Sequence, residues 1–220
     1  LLKQHSINFT TEYEDGDTIV SPLIFSLEGK SHDILATERL LLNILSHLSG
    51  ISTHTNKIVR IAKKVNPNVE ILATRKTLPG LRDIEKRAVV HGGGATHRMR
   101  LDDAILIKDN HLKLSKNIKK SIEISRSKYP NLMVEVEADN EQQAIEIAKN
   151  GADRVMLDNF SPDEATATIR KLREISDIEI EISGGVTIEN IASYAKKADF
   201  ISLGSLTMSS LPVDFSLHVL

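Results

Sequence analysis

The stretch Val69-Glu-Ile-Leu-Ala-Thr-Arg-Lys-Thr-Leu-Pro-Gly80 contains the unit from which the fold is built. An apolar run of strand character ends at the cations Arg75 and Lys76, and a helical pattern over residues 81–90 follows the Pro-Gly turn. The same alternation continues to residue 203, with strands predicted at 104–108, 132–138, 154–157, 178–183 and 200–203 and helices at 116–128, 141–149, 162–175 and 188–195. Strands that alternate with helices predict an α/β fold with a parallel sheet, either a barrel or a doubly wound sheet.

Polar residues follow each of these six strands, and this favours the barrel. Active sites of β/α barrels form where the strands end, at one mouth. The strands at 132–138 and 178–183 interleave Glu with apolar residues, whereas the other strands are mostly apolar, as in a parallel sheet buried on both faces.

The chain before residue 69 follows a different pattern. Residues 7–10 and 23–27 resemble short strands, and helices are predicted at 36–49, with Gly50 as the stop, and at 56–65. Further along the chain, Ser161 and Thr187 are typical helix N-caps, and Asn150-Gly151 is typical of a helix end.

Composition narrows the class of protein. The 220 residues are 40% hydrophobic and 26% charged, with a net charge of −2 and no Cys, which excludes disulfides and thiolate chemistry. No apolar run approaches the ~20 residues of a membrane span, and no signal peptide is visible, so we expect a cytoplasmic protein without a membrane partner. Eight Lys or Arg residues between 75 and 108 in a chain that is acidic overall indicate a site for a small anion rather than a nucleic-acid surface.

Three groups of residues are candidates for anion binding. Arg75 could hold a carboxylate and Lys76 a phosphate, although both could also be a solvated strand end. His97 and Arg98 follow Gly92-Gly-Gly94, whose amides could approach an anion closely. Lys108 could form a Schiff base, but simple charge complementarity to an anion is favoured.

Acids and glycines at other strand ends complete the candidate site. Glu135, Glu137 and Asp158 could bind Mg²⁺ together with substrate phosphates, or form salt bridges to the nearby cations. Ser183-Gly-Gly185 before a helix, and Gly204-Ser205 after the last strand, are typical of a phosphate site.

Taken together, these motifs closely resemble the quinolinate phosphoribosyltransferase family over residues 14–216. The resemblance rests on these stretches: Glu38-Arg39 before Leu40–Gly50, Thr74-Arg-Lys-Thr-Leu-Pro-Gly80, Gly92-Gly-Gly-Ala-Thr-His-Arg98, Ile105-Leu-Ile-Lys-Asp-Asn-His111, Val134-Glu-Val-Glu137, Met156-Leu-Asp-Asn159, Ser183-Gly-Gly185 and Ser202-Leu-Gly204.

The resemblance implies a reaction and an architecture. Quinolinate and phosphoribosyl pyrophosphate would give nicotinate mononucleotide, pyrophosphate and CO₂ with Mg²⁺, as a step of NAD biosynthesis. Residues 36–206 would form an incomplete α/β barrel. Residues 1–35 would be the remainder of a smaller N-terminal α/β sandwich domain, shortened at its start, with 207–220 as a candidate addition to it. A homodimer or higher even oligomer is also implied.

The resemblance assigns roles to residues as well. Quinolinate would be bound by Arg75, His97, Arg98 and Lys108, with Arg39 as a further candidate near the neighbouring subunit's site. Lys76, Glu137 and Asp158 would hold the phosphoribosyl group, and the two carboxylates would also hold Mg²⁺. The 5′-phosphate would lie against Ser183, Gly184, Gly185, Gly204 and Ser205. Lys108, Glu137 and Asp158 are the predicted catalytic residues.

The chain departs from the family pattern at two positions, and other readings stay open. Thr96 stands where Asn is usual, and Met208 where His is usual. The alternatives are a nicotinate phosphoribosyltransferase, a molybdenum-transport-associated relative, a barrel aldolase that uses Lys108, and a non-catalytic anion-binding protein. The four cations Arg39, Arg75, Arg98 and Lys108 favour quinolinate over nicotinate, because nicotinate has one carboxylate fewer.

Overall fold

The computed structural model describes residues 2–115 and 117–219. Its strands are β1 (Asn8–Thr11), β2 (Phe25–Glu28), β3 (Glu70–Ala73), β4 (Ala95–Thr96), β5 (Ile105–Ile107), β6 (Val134–Ala138), β7 (Arg154–Asp158), β8 (Glu179–Ser183) and β9 (Phe200–Leu203). Its α-helices are α1 (Ser31–Val65), α2 (Arg82–His91), α3 (Asp109–Ser115), α4 (Ile118–Lys128), α5 (Glu141–Lys149), α6 (Pro162–Ile175), α7 (Ile191–Ala195) and α8 (Ser205–Met208). A short 3-10 helix (Leu2–His5) precedes β1.

Seven parallel strands form one sheet in the order β4-β3-β9-β8-β7-β6-β5. In a flat sheet, the five spacings from β4 to β6 would separate these strands by about 24 Å. His97, directly after β4, nevertheless lies 2.9 Å from Glu135 of β6. The sheet therefore curls into a barrel, whose edge strands β4 and β5 are not paired within the described residues. The prediction of an α/β fold with an incomplete barrel is confirmed.

The alternation of residue types in the strands explains how the barrel packs. On β6, Val134, Val136 and Ala138 are fully buried in the apolar core, together with residues of the surrounding helices such as Ile147 and Leu172. Glu135 and Glu137 point to the opposite face, because successive side chains of a strand alternate. The Glu residues of the predicted strands therefore line the interior of the barrel, and their apolar neighbours face the helices.

Helix α1 corrects the prediction of two helices at 36–49 and 56–65. It is continuous from Ser31 to Val65, and Gly50 lies inside it, fully buried, instead of ending it. A Cβ at Gly50 would collide with the carbonyl oxygen of Leu211 and would lie 3.0 Å from Cα of Pro212. Close approach of the C-terminal backbone, not helix termination, explains the glycine at this position.

The two halves of α1 differ in burial. Its second half packs on the barrel through Ile51, Ile58 and Ala62, which are fully buried. In the first half, only Thr37 and Leu42 are buried. The backbone N–H of Val213 donates to the carbonyl of Ser46, so the C-terminal segment lies against this part of the helix. The predicted domain boundary between residues 35 and 36 falls inside α1, and it stays a prediction.

Most other elements agree with the sequence. The predicted strands at 7–10 and 23–27 pair as the antiparallel strands β1 and β2. The predicted N-cap at Ser161 is confirmed and forms a capping box, and the predicted helix end at Asn150-Gly151 is confirmed, with Gly151 in the left-handed region. Strand β4, only two residues long, and helix α3 were not predicted, and the predicted start of α4 at Lys116 lies outside the described residues. Throughout the described part of the chain, no helix has both the length and the hydrophobicity required to cross a bilayer.

We predict that Gly50→Ala lowers the melting temperature. Alanine is favoured over glycine inside a helix by about 1 kcal/mol, so propensity alone would stabilise the variant. The new Cβ would instead displace the backbone at Leu211 and Pro212. Thermal unfolding checks this result, with the exposed α1 position Thr53→Ala as the control, which we expect to be neutral or stabilising. A Gly50→Ala variant as stable as the control would contradict the packing argument.

Candidate active site

Arg75 and Arg98 lie close together, although 22 positions separate them in the sequence. Arg75 follows β3 and Arg98 follows β4, and these strands are neighbours in the sheet. Burial, and then the positive charge of Arg75, lowers the pKa of Arg98. The arginines that form ion pairs within the described residues are Arg39, Arg87, Arg126, Arg154 and Arg173. Arg75 and Arg98 therefore offer two guanidinium groups to an anionic ligand.

Lys76 extends across the end of β9. Its backbone carbonyl accepts a hydrogen bond of 2.5 Å from the hydroxyl of Thr207, so α8 fixes this residue. A Cβ at Gly204 would lie 2.8 Å from Cδ of Lys76. Glycine at this strand end thus makes room for the lysine side chain, which is a specific reason for Gly204 beside any role in phosphate binding.

His97 is buried in the barrel interior, where its side chain is only 7% exposed. Its Nε2 lies 2.9 Å from Glu135 and 3.3 Å from Glu181, both of which are fully buried. Its Nδ1 lies 2.8 Å from the backbone N–H of Arg98. Both ring nitrogens are occupied, so direct binding of quinolinate by His97 stays a prediction, and the geometry gives the ring a role in orienting Arg98.

His97, Glu135 and Glu181 form a buried cluster, and their contacts limit which of its atoms can carry a proton. Burial opposes protonation of His97, but hydrogen bonds to Glu135 and Glu181 raise its pKa to about 9. The bond from the Arg98 N–H requires an Nδ1 without a proton, and hence a neutral ring. Burial also raises the pKa of Glu135. The neutral ring carries its one proton on Nε2, which donates to Glu135, and the closely interacting cluster of His97, Glu135 and Glu181 titrates as a unit.

The three glycines before this loop are not an anion cradle, which corrects the interpretation of Gly92-Gly-Gly94. All three amides donate to backbone carbonyls of α2. A Cβ at Gly92 would lie 2.5 Å from the carbonyl of Ser52, and a Cβ at Gly94 would lie 2.8 Å from Val89. The glycines allow close packing of the chain against α1 and α2, and so direct it into β4.

Lys108, Glu137 and Asp158 form a second group at the mouth. Lys108 Nζ lies 2.9 Å from the Glu137 carboxylate, with Lys108 about half exposed. Burial and the charge of Glu137 raise the pKa of Asp158, while Lys108 and Lys76 lower it. The structure therefore brings together Lys76, Lys108, Glu137 and Asp158 at this side of the mouth, with Asp139 as a further carboxylate nearby, and places Glu135 deeper, with His97.

This second group has the composition of a magnesium site. Mg²⁺ prefers a few carboxylate oxygens and completes its shell with water and phosphate. Burial, and then the charge of Glu137, disfavour the ionised form of Asp158, and a divalent cation would favour that form. Glu137 and Asp158 thus fit the predicted metal, whose binding stays a proposal.

The predicted phosphate site lies on the neighbouring strands β8 and β9, which pair Ser183 with Ser202. A Cβ at Gly184 would collide with the Asn159 side chain, and Gly184 and Gly185 both have positive φ angles. One part of the prediction is wrong: Thr187 does not cap a helix, because α7 begins at Ile191. Support for phosphate therefore comes from the paired loops at Ser183–Gly185 and Gly204–Ser205, without a helix dipole.

Arg39 lies on the outlying half of α1, away from the other candidate residues. Its side chain is 75% exposed, and its ion pair with the adjacent Glu38 is long, at 3.8 Å. The structure gives it no contact with the mouth of its own barrel within the described residues.

Several charged residues of this region were not predicted from the sequence. Arg154 pairs with Glu179 and Glu181 and stacks 3.7 Å above the Phe200 ring. Glu85 and Lys86 on α2 are fully buried. The Glu residues that alternate with apolar residues in β8 could have predicted that Glu181 faces the barrel interior. The spacing of Arg82, Glu85 and Lys86 could have predicted that they share one face of α2.

Two cavities differ in their relation to the candidate site. One of about 300 Å³ borders His97, Arg98 and Arg154 at the seam between β4 and β5. The other, of about 500 Å³, lies among the turns that enter β7 and β8, at the opposite end of the barrel, and contains none of the predicted site residues. Active sites of β/α barrels form at the mouth where the strands end, so the second cavity is not a candidate site.

The sequence and the fold are both similar to those of known proteins. Residues 51–218 match the family described as "Quinolinate phosphoribosyl transferase, C-terminal domain". The chain is 44% identical over 212 residues to a probable carboxylating nicotinate-nucleotide pyrophosphorylase of Archaeoglobus fulgidus, covering 94% of this chain and 81% of that protein. It is 36% identical over 200 residues to the human carboxylating nicotinate-nucleotide pyrophosphorylase, covering 89% and 67%.

A solved structure has the same fold. The nicotinate-nucleotide pyrophosphorylase from Francisella tularensis superposes with a TM-score of 0.90 at 35% identity. The match covers 97% of this chain and 76% of that one.

We predict that Lys86 makes stability depend on pH. Burial, and then the charge of Arg82, lowers its pKa from 10.5 to about 8. Between these values the unfolded chain binds the proton and the folded chain does not, so stability rises with pH through this window. In denaturant unfolding, the free energy of unfolding of the wild type minus that of Lys86→Met should therefore increase from pH 8 to pH 10. A constant difference would mean that the pKa of Lys86 is not lowered.

Proposed function

The chain belongs to the quinolinate phosphoribosyltransferase family, and on this basis we infer that it transfers phosphoribosyl from phosphoribosyl pyrophosphate to quinolinate. The products are nicotinate mononucleotide, pyrophosphate and CO₂, a step of NAD biosynthesis. The chain covers 81% of the length of its A. fulgidus relative.

The pair of guanidinium groups at Arg75 and Arg98 carries this inference. Quinolinate has two adjacent carboxylates, and guanidinium groups bind carboxylates through paired, charge-assisted hydrogen bonds. Two like charges held together raise the electrostatic free energy of the empty site, and a dianion lowers it more than a monoanion does. The pair thus supports a dicarboxylate substrate, with Lys108, which follows the edge strand β5, as a further cation.

The second group is proposed to act on the phosphoribosyl substrate. Lys76 and Lys108 would neutralise phosphate oxygens, and the paired loops at β8 and β9 would receive the 5′-phosphate. When the pyridine nitrogen displaces pyrophosphate, positive charge develops at the anomeric carbon, and Glu137 or Asp158 would stabilise it. These carboxylates would also hold Mg²⁺, which supplies charge neutralisation for the departing pyrophosphate.

Decarboxylation requires no organic cofactor in this scheme. Once the ring nitrogen carries ribose, its positive charge stabilises the electron pair that departing CO₂ leaves on the ring carbon, and a proton from solvent then forms the C–H bond of nicotinate mononucleotide. The residues of the chain would then bind and orient the carboxylates, a role that we assign to Arg75 and Arg98.

We further propose that the protein acts as a homodimer or a higher even oligomer. The outlying half of α1 exposes Leu35, Leu40 and Ile44, which a second copy would cover. Arg39 lies on the same half, so an interface there would carry it toward the neighbouring subunit.

Two alternative activities have less support. A nicotinate phosphoribosyltransferase would bind one carboxylate fewer and would not need both Arg75 and Arg98. A Schiff-base aldolase would need Lys108 as a nucleophile, yet its ammonium group forms an ion pair with Glu137.

The deciding experiment compares quinolinate with nicotinate in the presence of phosphoribosyl pyrophosphate, following both nicotinate mononucleotide and CO₂. We expect both products from quinolinate only, and loss of activity when a chelator removes Mg²⁺, with recovery when Mg²⁺ is restored. Product from nicotinate without CO₂ would support the first alternative. Full activity in chelator would disprove the metal role of Glu137 and Asp158 but not the transfer.

We predict that Arg98→Ala weakens quinolinate binding and leaves phosphoribosyl pyrophosphate binding nearly unchanged. Loss of a charge-assisted hydrogen-bond pair costs roughly 1.5–3 kcal/mol, which is at least about tenfold in Kd. Calorimetric titration with each substrate measures the two affinities. Arg100→Ala, an exposed arginine two positions along, is the matched control. Equal losses for both substrates would contradict the role assigned to Arg98.

A further inference from the structure

Three charged residues of α2 face the loops that carry the candidate cations. Arg82, Glu85 and Lys86 are spaced i, i+3 and i+4, which places them on one face of the helix. Glu85 and Lys86 are fully buried, and Arg82 is half-buried. Charged side chains are seldom fully buried unless their groups are paired or hydrogen-bonded, so their partners indicate what this face does.

Two of these residues hold the loop at 74–80. The backbone N–H of Leu78 donates to Glu85 Oε2 at 3.1 Å, and Arg82 Nε donates to the hydroxyl of Thr77 at 3.3 Å. The second oxygen of Glu85 lies 2.7 Å from His47 Nε2 on α1. The loop that carries Arg75 and Lys76 is thereby joined to two helices.

The same face also holds the loop at 97–99. Lys86 Nζ donates to the carbonyls of His97 at 3.0 Å and of Arg98 at 2.6 Å. Arg82 reaches this loop as well, with one guanidinium nitrogen 3.3 Å from the carbonyl of Met99. Within residues 2–115 and 117–219, no ion pair involves Lys86, so its charge is satisfied by backbone dipoles of this loop.

An anchor of this kind has a clear physical purpose. The positive charges of Arg75 and Arg98 repel each other, and Lys86 adds a third positive charge to the same region. Flexible loops would relieve this repulsion by moving apart, and the site would then be lost until an anion brought them together again. Hydrogen bonds from one rigid helix to both loops oppose that separation.

We propose that Arg82, Glu85 and Lys86 form an anchoring face that fixes the two loops and so preorganises Arg75 and Arg98 for a dianionic substrate. The three are positioning residues, because they contact the loops and not the substrate. The kinetic part of the proposal rests on the function proposed above, whereas the loop-anchoring part is independent of it.

The test compares three variants of α2 in the full chain. Lys86→Met keeps the length of the side chain but removes its donor, and Arg82→Met removes both guanidinium contacts at a half-buried position. Arg87→Met is the matched control, because Arg87 is the next residue on the helix and is 67% exposed, with only an exposed partner at Asp15.

We expect Lys86→Met and Arg82→Met to raise KM for quinolinate about tenfold or more, since small misplacements of substrate-binding groups have large effects. KM for phosphoribosyl pyrophosphate should change much less in Lys86→Met, because Lys86 contacts the 97–99 loop, whereas Arg82 also holds the loop that carries Lys76. Amide hydrogen exchange without any substrate should be faster at residues 97–99 in both variants, and unchanged in Arg87→Met.

The outcomes separate the loop-anchoring part of the proposal from its kinetic part. If both variants fold and match Arg87→Met in quinolinate KM and in exchange, or if Lys86→Met raises both KM values equally, the anchoring face is disproved. If Lys86→Met does not fold, Arg82→Met decides alone. If the wild type does not use quinolinate, the function is wrong, and the exchange rates still decide: faster exchange supports the anchor and unchanged exchange overturns it.

Discussion

The contact of His97 with Glu135 and Glu181 connects strands that lie far apart in the sheet, and the geometry of the site depends on it. His97 follows an edge strand, whereas Glu135 lies five strands away across the sheet. The ring spans the interior with one nitrogen and holds the Arg98 backbone with the other. The curvature of the sheet and the direction of Arg98 are therefore determined together, by one buried side chain.

This arrangement places charge where most domains place hydrocarbon. Glu135 and Glu181 are fully buried, with His97 and Arg154 as partners, and Arg154 also stacks on Phe200. Replacing such a cluster by apolar residues can be neutral for stability, whereas removing one member leaves an unpaired buried charge that costs several kcal/mol. The benefit is geometric, because directed hydrogen bonds fix a ring orientation that apolar packing leaves less defined.

The sequence predicts the parts of this protein whose signal is local. Strands β3 and β6 to β9 alternate with helices at regular spacing, and Ser161 carries its capping box within four residues. Strand β4 was missed because two residues give no periodicity, and Gly50 was misread because the backbone that it contacts lies 161 positions away. The motifs identified Arg75, Arg98, Lys108 and Glu137 correctly as neighbours at one mouth, but no motif shows that His97 turns inward or that α2 anchors both loops.

The charge distribution explains why two kinds of buried support are needed. At the mouth, the positive charges of Arg75, Lys76, Arg98 and Lys108 are concentrated in a chain whose net charge is −2, and the carboxylates of Glu137, Asp158 and Asp103 lie near them. Such a local excess attracts anions, and it also pushes its own members apart. Carboxylates placed among the cations would remove the repulsion but would compete with the substrate for them. Supports that act on the backbone of the loops, from α2 outside the barrel and from His97 within it, hold the cations in place and leave their charge available to the ligand.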